Sequence, residues 1–242
     1  MLEVDHISFS YGSRPALEDV TFDVAPGEIV ALIGANGAGK TTLLRVLACL
    51  LMQDAGSVRL DTVDPLERPI KYRRGIGYLS EKCPLYGEMT VEEYLIYRVR
   101  LKGERHMRVR RRVSETLGMC GLEEERRTRI RRLSHGYRKR LGLADALVMH
   151  PKLLLLDDPL AGLDVPQRKK VAAVLTAASA RAAVVLAGHE LHDMLEWCTR
   201  FVVLRRGRVA AVHRASDFGK AELARLLEAH LAGEAAPEGV PA

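Results

Sequence analysis

Hydrophobic and polar residues follow two patterns along the 242-residue chain, and each pattern predicts a different kind of strand. Residues 2–9 and 20–24 alternate apolar and polar side chains, as half-buried strands do. Residues 28–34, 152–158 and 182–190 are nearly continuous apolar runs, which are typical of strands buried on both faces of a parallel sheet. The pattern therefore predicts an antiparallel strand set at the N-terminus and a buried parallel sheet after it.

Shorter segments complete the prediction. We expect strands at 56–60 and 76–80 and a hairpin over 201–212. Leucine and valine recur at helical spacing from about 85 to 150, and Thr90 and Glu93 have the spacing of a capping box at a helix start. The sequence thus favours one α/β domain over 1–230 with a helical lobe inserted in it. Residues 231–242 are poor in core-forming side chains, and we expect a disordered tail there.

A glycine-rich segment separates the apolar run at 28–34 from a helix that we predict over 41–51. It matches the phosphate-binding pattern G-x-x-x-x-G-K-[ST] in full. The glycines allow backbone N–H groups to face phosphate oxygens, Lys40 would contact the β- and γ-phosphates, and the hydroxyl of Thr41 would bind Mg²⁺. The predicted nucleotide-binding residues here are Gly34, Asn36, Gly37, Ala38, Gly39, Lys40, Thr41 and Thr42.

A carboxylate follows the four consecutive leucines of the run at 152–158. A Mg²⁺ ion on nucleotide phosphates takes such a carboxylate at the end of a neighbouring strand, which points to Asp157. The phosphate loop and Asp157 together predict a nucleoside triphosphatase.

Composition narrows the location and the partners. No apolar stretch approaches the roughly 20 residues that cross a bilayer, and no secretory leader is visible, so we expect a cytoplasmic protein. The four cysteines are scattered and predict reduced thiols. The net charge of +6 is concentrated in 98–112 and 126–140. Either a solvated helical face or a surface for nucleic acid or lipid headgroups explains these segments, and their few aromatic residues argue against stacking on single-stranded nucleic acid.

Five further segments, in their order along the chain, make residues 1–212 resemble the ATP-binding subunits of ABC transporters. They are Tyr11 at the position of an adenine-stacking ring, 76–91 at the loop that usually carries a glutamine, 133–147 at the signature segment (commonly LSGGQ), 161–164 at the loop after the acidic pair, and His189 at the switch histidine.

This resemblance implies a P-loop NTPase fold of the ABC ATPase type, with a parallel-sheet core, an N-terminal antiparallel β subdomain and a helical subdomain. It also implies that two subunits, identical or different, enclose two ATP molecules, and that Ser134, His135, Gly136 and Asp164 belong to the nucleotide-binding set. A separate integral-membrane permease would then hold the subunit at the inner face of the cell membrane. The segment 81–100 would dock it, with Pro84, Leu85 and Tyr86 lining the groove.

Three departures from the family pattern refine the expectation. Glu81 replaces the usual glutamine, and His135 and Tyr137 alter the signature, as in the gliding-motility-like and type-2 exporter branch. Asp158 replaces the glutamate that acts as general base and is shorter by one methylene, and a misplacement of about 1 Å costs on the order of a hundredfold in rate.

We therefore predict an exporter ATPase that uses ATP and Mg²⁺. The resemblance implies catalytic roles for Asp158, His189 and Glu81, and Mg²⁺ ligation by Thr41, Asp157 and Glu81. Two alternatives are an ATP-gated clamp with little hydrolysis, and a soluble ABC ATPase acting on nucleic acid. The second is disfavoured, since the chain has neither a second ATPase domain nor a coiled-coil insert.

Overall fold

The computed structural model describes residues 1–232. The strands are Leu2–Tyr11 (β1), Arg14–Val24 (β2), Ile29–Ile33 (β3), Ala55–Leu60 (β4), Ile76–Leu79 (β5), Leu153–Asp157 (β6), Ala183–Ala187 (β7), Arg200–Arg205 (β8) and Arg208–Arg214 (β9). The helices are Lys40–Leu47 (α1), Pro69–Arg74 (α2), Val91–Leu101 (α3), His106–Met119 (α4), His135–Leu147 (α5), Val165–Ser179 (α6), Leu191–Met194 (α7) and Lys220–Ala232 (α8).

A six-stranded sheet with the order β5-β6-β7-β3-β8-β9 forms the centre of the molecule. The first five strands in this order are parallel, and β9 pairs antiparallel to β8. Every residue of β3, β6 and β7 is buried, as the continuous apolar runs predict. The α/β fold class is thereby confirmed, and so is the hairpin, whose turn lies at Arg206 and Gly207.

A second sheet, of order β2-β1-β4, is antiparallel. It packs on the face of the large sheet that also carries α1, through one continuous core that includes Ile7, Val20, Leu32 and Leu44. Strand β2 begins at Arg14, six residues before the predicted start at position 20. Irregular pairing with β1 accommodates these extra residues, since the register shifts between Ile7 and Phe9 and again after Phe9.

Helices α3, α4, α5, α6 and α8 contribute to a second core on the opposite face of the large sheet. Helix α3 begins with the predicted capping box: the Thr90 side chain accepts from the backbone N–H of Glu93, and the Glu93 carboxylate accepts from the backbone N–H of Thr90. Valine and leucine side chains of α3 and α4, including Leu95 and Val113, are fully buried in this core. Residues between 91 and 147 thus supply a helical layer, as their spacing predicts.

Two further predicted boundaries are wrong. Helix α1 ends at Leu47 rather than at 51, because Cys49 adopts a left-handed backbone with φ of 54° that no continuing helix tolerates. The predicted tail starts at 231, but α8 continues through Ala232, and the rest of that segment, 233–242, lies outside the described residues. Within residues 1–232, no helix has the length and apolarity of a membrane span.

The two basic segments are partly neutralised by ion pairs. Arg98 contacts Asp145 at 2.8 Å, and Arg112 contacts Glu104 in a half-buried pair. In the second segment, Arg126 contacts Glu92. Part of the positive charge is therefore paired within the helical layer and its loops, and Arg108 and Arg110 remain exposed on α4.

Candidate functional site

Four neighbouring strands deliver side chains to one edge of the large sheet. The loop 34–39 follows β3, Glu81 follows β5, Asp157 ends β6 and His189 follows β7. Because the strands are parallel, their carboxyl ends meet at this edge, where open α/β sheets bind their ligands. A cavity of about 570 Å³ opens there, and most of the predicted nucleotide-binding and catalytic residues line it.

Glycines allow the loop 34–39 to curl around the cavity. Gly34 has φ of 154°, and a Cβ atom there would lie 2.3 Å from the carbonyl oxygen of Leu204. Gly39 has φ of 106°, and a Cβ atom there would lie 2.8 Å from the carbonyl oxygen of Ala16. The loop therefore packs closely against β2 and β8, and its tip together with the start of α1 presents backbone N–H groups to the cavity.

The ammonium of Lys40 is held inside the loop. Its Nζ donates to the carbonyl oxygen of Gly34 at 2.5 Å and to that of Ala35 at 3.1 Å. An ammonium carries three N–H donors, so two fix the side chain and a third is available toward the cavity that Lys40 lines. Burial lowers the pKa of Lys40, and the carboxylates of Asp158 and Asp157 oppose that shift. A positive charge poised in this position suits an anionic ligand.

Thr41 and Asp157 form a pair of oxygen ligands at the base of the cavity. The Thr41 hydroxyl donates to Oδ1 of Asp157 at 3.0 Å, and Asp157 is almost fully buried. Burial raises the pKa of Asp157, and the hydrogen bond from Thr41 partly offsets that rise. A hydroxyl and a carboxylate are the hard oxygen donors that Mg²⁺ accepts beside nucleotide phosphates, so these residues fit the predicted metal.

Asp158 lies next to this pair in an unusual backbone conformation. Its φ is 52°, in the left-handed region that aspartate tolerates better than most residues. Its backbone N–H donates to the carbonyl of Ala187 at 2.8 Å, and its Oδ1 is buried without a hydrogen-bond partner among the described residues. Burial, and secondarily the charge of Glu190, raises the pKa of Asp158. A buried carboxylate oxygen with free acceptor capacity is suited to accept a hydrogen bond from a water molecule.

Three more predicted residues line the same cavity: Glu81, His189 and Tyr11. Glu81 and His189 are exposed, and each lies two residues after the end of its strand, β5 and β7 respectively. The ring of Tyr11 packs edge-on against Phe9 with 4.9 Å between centroids, and its hydroxyl lies 3.5 Å from the hydroxyl of Thr42. Tyr11 thus presents an exposed aromatic surface beside the phosphate loop, as base stacking requires.

The remaining predicted residues lie elsewhere. Ser134 caps α5, where its hydroxyl accepts from the backbone N–H of Tyr137, and Asp164 caps α6 in the same way through Gln167. Nε2 of His135 lies 3.2 Å from the carbonyl oxygen of Ala161. Ser134, His135 and Asp164 are exposed and Gly136 is buried, and none of these four lines the cavity. Gly34 also lies outside the lining, beneath the loop.

The cavity includes residues that the sequence analysis does not single out, namely Arg14, Pro15, Ala16, Ala187 and Gly188. Arg14 begins β2, just after the glycine turn that follows Tyr11. Its position close to Tyr11 in the sequence could have indicated that it lies near the nucleotide. The backbone positions 16, 187 and 188 carry no such signal, because they enter the site only through the sheet pairing.

A groove of about 480 Å³ lies beside the cavity, and Glu81 lines both. Pro84 and Leu85 line this groove together with Tyr94, Arg98 and Asp145. Tyr86, the third predicted residue, is outside the lining and packs edge-on against Tyr94. A surface for another protein would therefore share one loop, 80–85, with the nucleotide-binding cavity.

Comparisons with known proteins agree with this geometry. The family model described as "ABC transporter" matches residues 17–161. The chain is 37% identical over 210 residues to an uncharacterized ABC transporter ATP-binding protein of Bacillus subtilis, an alignment that covers 87% of this chain and 70% of that protein. It is 36% identical over 222 residues to a sulfate/thiosulfate import ATP-binding protein of Methylococcus capsulatus, covering 89% of this chain and 64% of that relative.

Solved structures give the same picture. The structure of an ATP-binding subunit of an ABC transporter superposes with a TM-score of 0.84 at 31% identity, covering 94% of this chain and 99% of that one. A dimeric ATP-binding cassette in a post-hydrolysis state, bound to ADP and Pi, superposes with a TM-score of 0.78 at 25% identity, covering 89% and 99%. The shared fold thus extends over nearly the whole described chain.

Proposed function

The chain belongs to the ABC transporter family, and from this premise we propose that it is the ATP-hydrolysing subunit of a transporter whose membrane-spanning permease is a separate chain. The observation that carries the proposal is the cavity itself. The phosphate loop, the Thr41–Asp157 pair and the carboxylate of Asp158 converge in it. A phosphate cradle, a metal-binding pair and an acid beside them are the parts that phosphoryl transfer to water requires.

Each residue has a defined task in this reaction. Tyr11 stacks on the adenine, and the N–H groups of loop 34–39 and the ammonium of Lys40 hold the phosphates of ATP. Thr41, Asp157 and Glu81 would hold Mg²⁺, and the ion would supply positive charge beside the phosphate oxygens. Asp158 orients the attacking water and accepts its proton.

His189 assists at the γ-phosphate by hydrogen bonding. His189 follows β7 and lines the same cavity as the phosphate loop, which supports this role. The products are ADP and phosphate, and a structural relative has been solved with both bound.

A second subunit completes the site. Ser134, His135 and Gly136 lie at the start of α5, outside the cavity of their own chain, so we propose that they contact ATP held by a partner's phosphate loop. The backbone N–H groups and the helix dipole at this end of α5 favour a phosphate. The two structural features that support this arrangement are the exposure of Ser134 and His135 and the likeness to a dimeric cassette.

The permease docks in the groove lined by Pro84, Leu85, Tyr94, Arg98 and Asp145, and it holds the subunit at the cytoplasmic face of the membrane. We propose that transport runs outward. Glu81 and the altered signature at His135 and Tyr137 support an exporter, whereas several relatives are named as import proteins. Vesicles of defined orientation, loaded with candidate cargo, would decide the direction by the side from which ATP drives movement.

Steady-state ATP hydrolysis by the complex purified with its permease tests the function directly. Lys40→Ala should lose ATP binding and turnover, whereas the control Lys71→Ala, on the exposed face of α2, should retain both. Purification from membranes tests the partner. Recovery of ribosomes or RNA in place of an integral-membrane protein would favour the soluble alternative and reject the proposal.

Asp158 favours one second candidate function, an ATP-gated clamp. A clamp would bind ATP and dimerise with little hydrolysis, because the shorter acid holds the water poorly. ATP-driven dimerisation with turnover no faster in wild type than in Asp158→Asn would support the clamp instead of the motor.

A further inference from the structure

Lys139 lies in the middle of α5, and its side chain is only 5% exposed. Its ammonium donates to the carbonyl oxygen of Glu81 and to that of Asp158, each at 3.1 Å. Among the described residues, both of its hydrogen bonds thus go to uncharged backbone oxygens. A buried lysine without a close ion pair is costly, so its hydrogen bonds to two backbone carbonyls require an explanation.

The two carbonyls belong to the loops that carry acids of the cavity. Glu81 is the second residue after β5, and Asp158 directly follows β6. Both acids line the cavity, yet Lys139 contacts their backbone and is itself outside the lining. Lys139 therefore contacts the backbone that carries these acids and does not itself line the cavity.

Helix α5 supports the first of these loops at a second point. The sulfur of Cys83 lies against α5: it donates to the carbonyl of Arg138 at 3.8 Å, and a Cβ atom at Gly142 would approach it to 2.2 Å. The loop 80–85 thus follows any displacement of α5. This loop also lines the docking groove. Lys139 therefore links the groove to Asp158, because it hydrogen-bonds the loop and the backbone of Asp158 at the same time.

We propose that Lys139 is a positioning residue for ATP hydrolysis: its ammonium fixes the loop of Glu81 relative to the loop of Asp158 and couples the docking groove to the catalytic acid. The inference rests on the proposed function, because it assigns Asp158 to the attacking water. The signature residues begin the same helix, so a shift of α5 on contact with a second subunit or a permease moves both loops together.

Two variants test the proposal in the complex with the permease. Lys139→Met keeps an unbranched apolar stem and removes all donors, and Lys139→Arg keeps the charge and several donors. We expect Lys139→Met to lower kcat about tenfold or more while the Kd for a fluorescent ATP analogue changes less than about twofold. Lys139→Arg should recover most of kcat, and Lys71→Met, on the exposed face of α2, serves as the matched control.

Amide hydrogen exchange gives a second readout that needs no turnover. In Lys139→Met, amides of both loops, 81–83 and 160–161, should exchange about tenfold faster, while amides of β3 stay protected. An unchanged kcat, faster exchange in only one loop, or loss of ATP binding in parallel with kcat would each overturn the proposal. If Lys139→Met does not fold, Lys139→Gln, a shorter neutral donor, replaces it, and wild-type kcat in that variant would likewise overturn it.

The same design separates the two proposals. Wild-type protein without ATP hydrolysis would reject the proposed function, while the exchange data would still decide whether Lys139 joins the loops.

Discussion

Lengthening the acid at position 158 should accelerate ATP hydrolysis and destabilise the fold. Glutamate extends the carboxylate by about 1.3 Å, roughly the projection of one C–C bond, toward the cavity that Asp158 lines. The backbone at this residue has little freedom to compensate for the shorter acid. Its N–H donates to Ala187, and its carbonyl accepts from the ammonium of Lys139.

The expected magnitude follows from these contacts. Breaking the hydrogen bond to Ala187 costs about 1 kcal/mol, and breaking the one from the Lys139 ammonium costs about 1.5–3 kcal/mol. A shift of the loop that brought the aspartate forward would therefore cost about as much free energy as the better position of the acid would recover. A misplacement of about 1 Å costs on the order of a hundredfold, or about 2.7 kcal/mol in activation free energy. We therefore expect Asp158→Glu to raise kcat by about ten- to a hundredfold. Because φ is 52° here, glutamate should also lower the free energy of unfolding by about 1–2 kcal/mol.

Phosphate release at saturating Mg-ATP, measured on the permease complex, gives kcat, and urea unfolding of the subunit gives its stability. Asp158→Asn is the matched control: it keeps the backbone preference for φ of 52° and removes the base, so kcat should fall at least tenfold without loss of stability. The reasoning would be refuted if Asp158→Glu were no faster than wild type while Asp158→Asn was much slower. The native aspartate would then already be in place.

Three further predictions concern stability, and urea unfolding checks each. Thr90→Ala removes an N-cap and should cost about 1 kcal/mol, whereas Thr90→Ser should cost little. Gly34→Ala should cost more, about 2 kcal/mol or above, because its Cβ meets the carbonyl of Leu204; an unchanged midpoint would contradict this. Burial lowers the pKa of both His213 and His230, whose Nε2 atoms are 3.2 Å apart, so below pH 6.5 the unfolded chain protonates first. The contribution of this pair to stability should therefore fall from pH 7.5 to pH 5.5, so that wild type loses more stability over this range than His230→Gln does.

Much of the fold was predictable because the burial of a strand determines the pattern of apolar residues in its sequence. The strands β3, β6 and β7 have no solvent-facing side, so their sequences lack alternation and could be recognised individually. The phosphate loop and the capping box at Thr90 were equally predictable, since each follows from local backbone needs. Helix α6 is not among the predicted elements, although Asp164 as N-cap and a proline in the first turn mark its start.

The parts that were missed depend on contacts between distant segments. The first half of β2 contains proline and charged residues, and it is extended because β1 pairs with it. The proposed role of Lys139 involves the backbone carbonyls of residues 81 and 158. Every residue has a backbone carbonyl, so the residue types at these positions do not predict the hydrogen bonds. The candidate acids Glu81, Asp157 and Asp158 could be recognised in the sequence, whereas the hydrogen bonds of Lys139 to the backbone of two of them could be found only in the structure.

The place of β3 in the sheet has a consequence for how the protein is made. Both hydrogen-bonding neighbours of β3 come from far along the chain: Ile29 pairs with Val184, and Val30 pairs with Arg200. Such pairings raise the contact order and slow folding. The strand that bears the phosphate loop leaves the ribosome long before its neighbours do, whereas 91–147 contains helices that contact one another locally. We expect the helices to form first and the phosphate loop to become rigid only when β7 and β8 have been synthesised and pair with β3. A nascent chain should therefore bind ATP only after synthesis has passed β8, the last parallel strand.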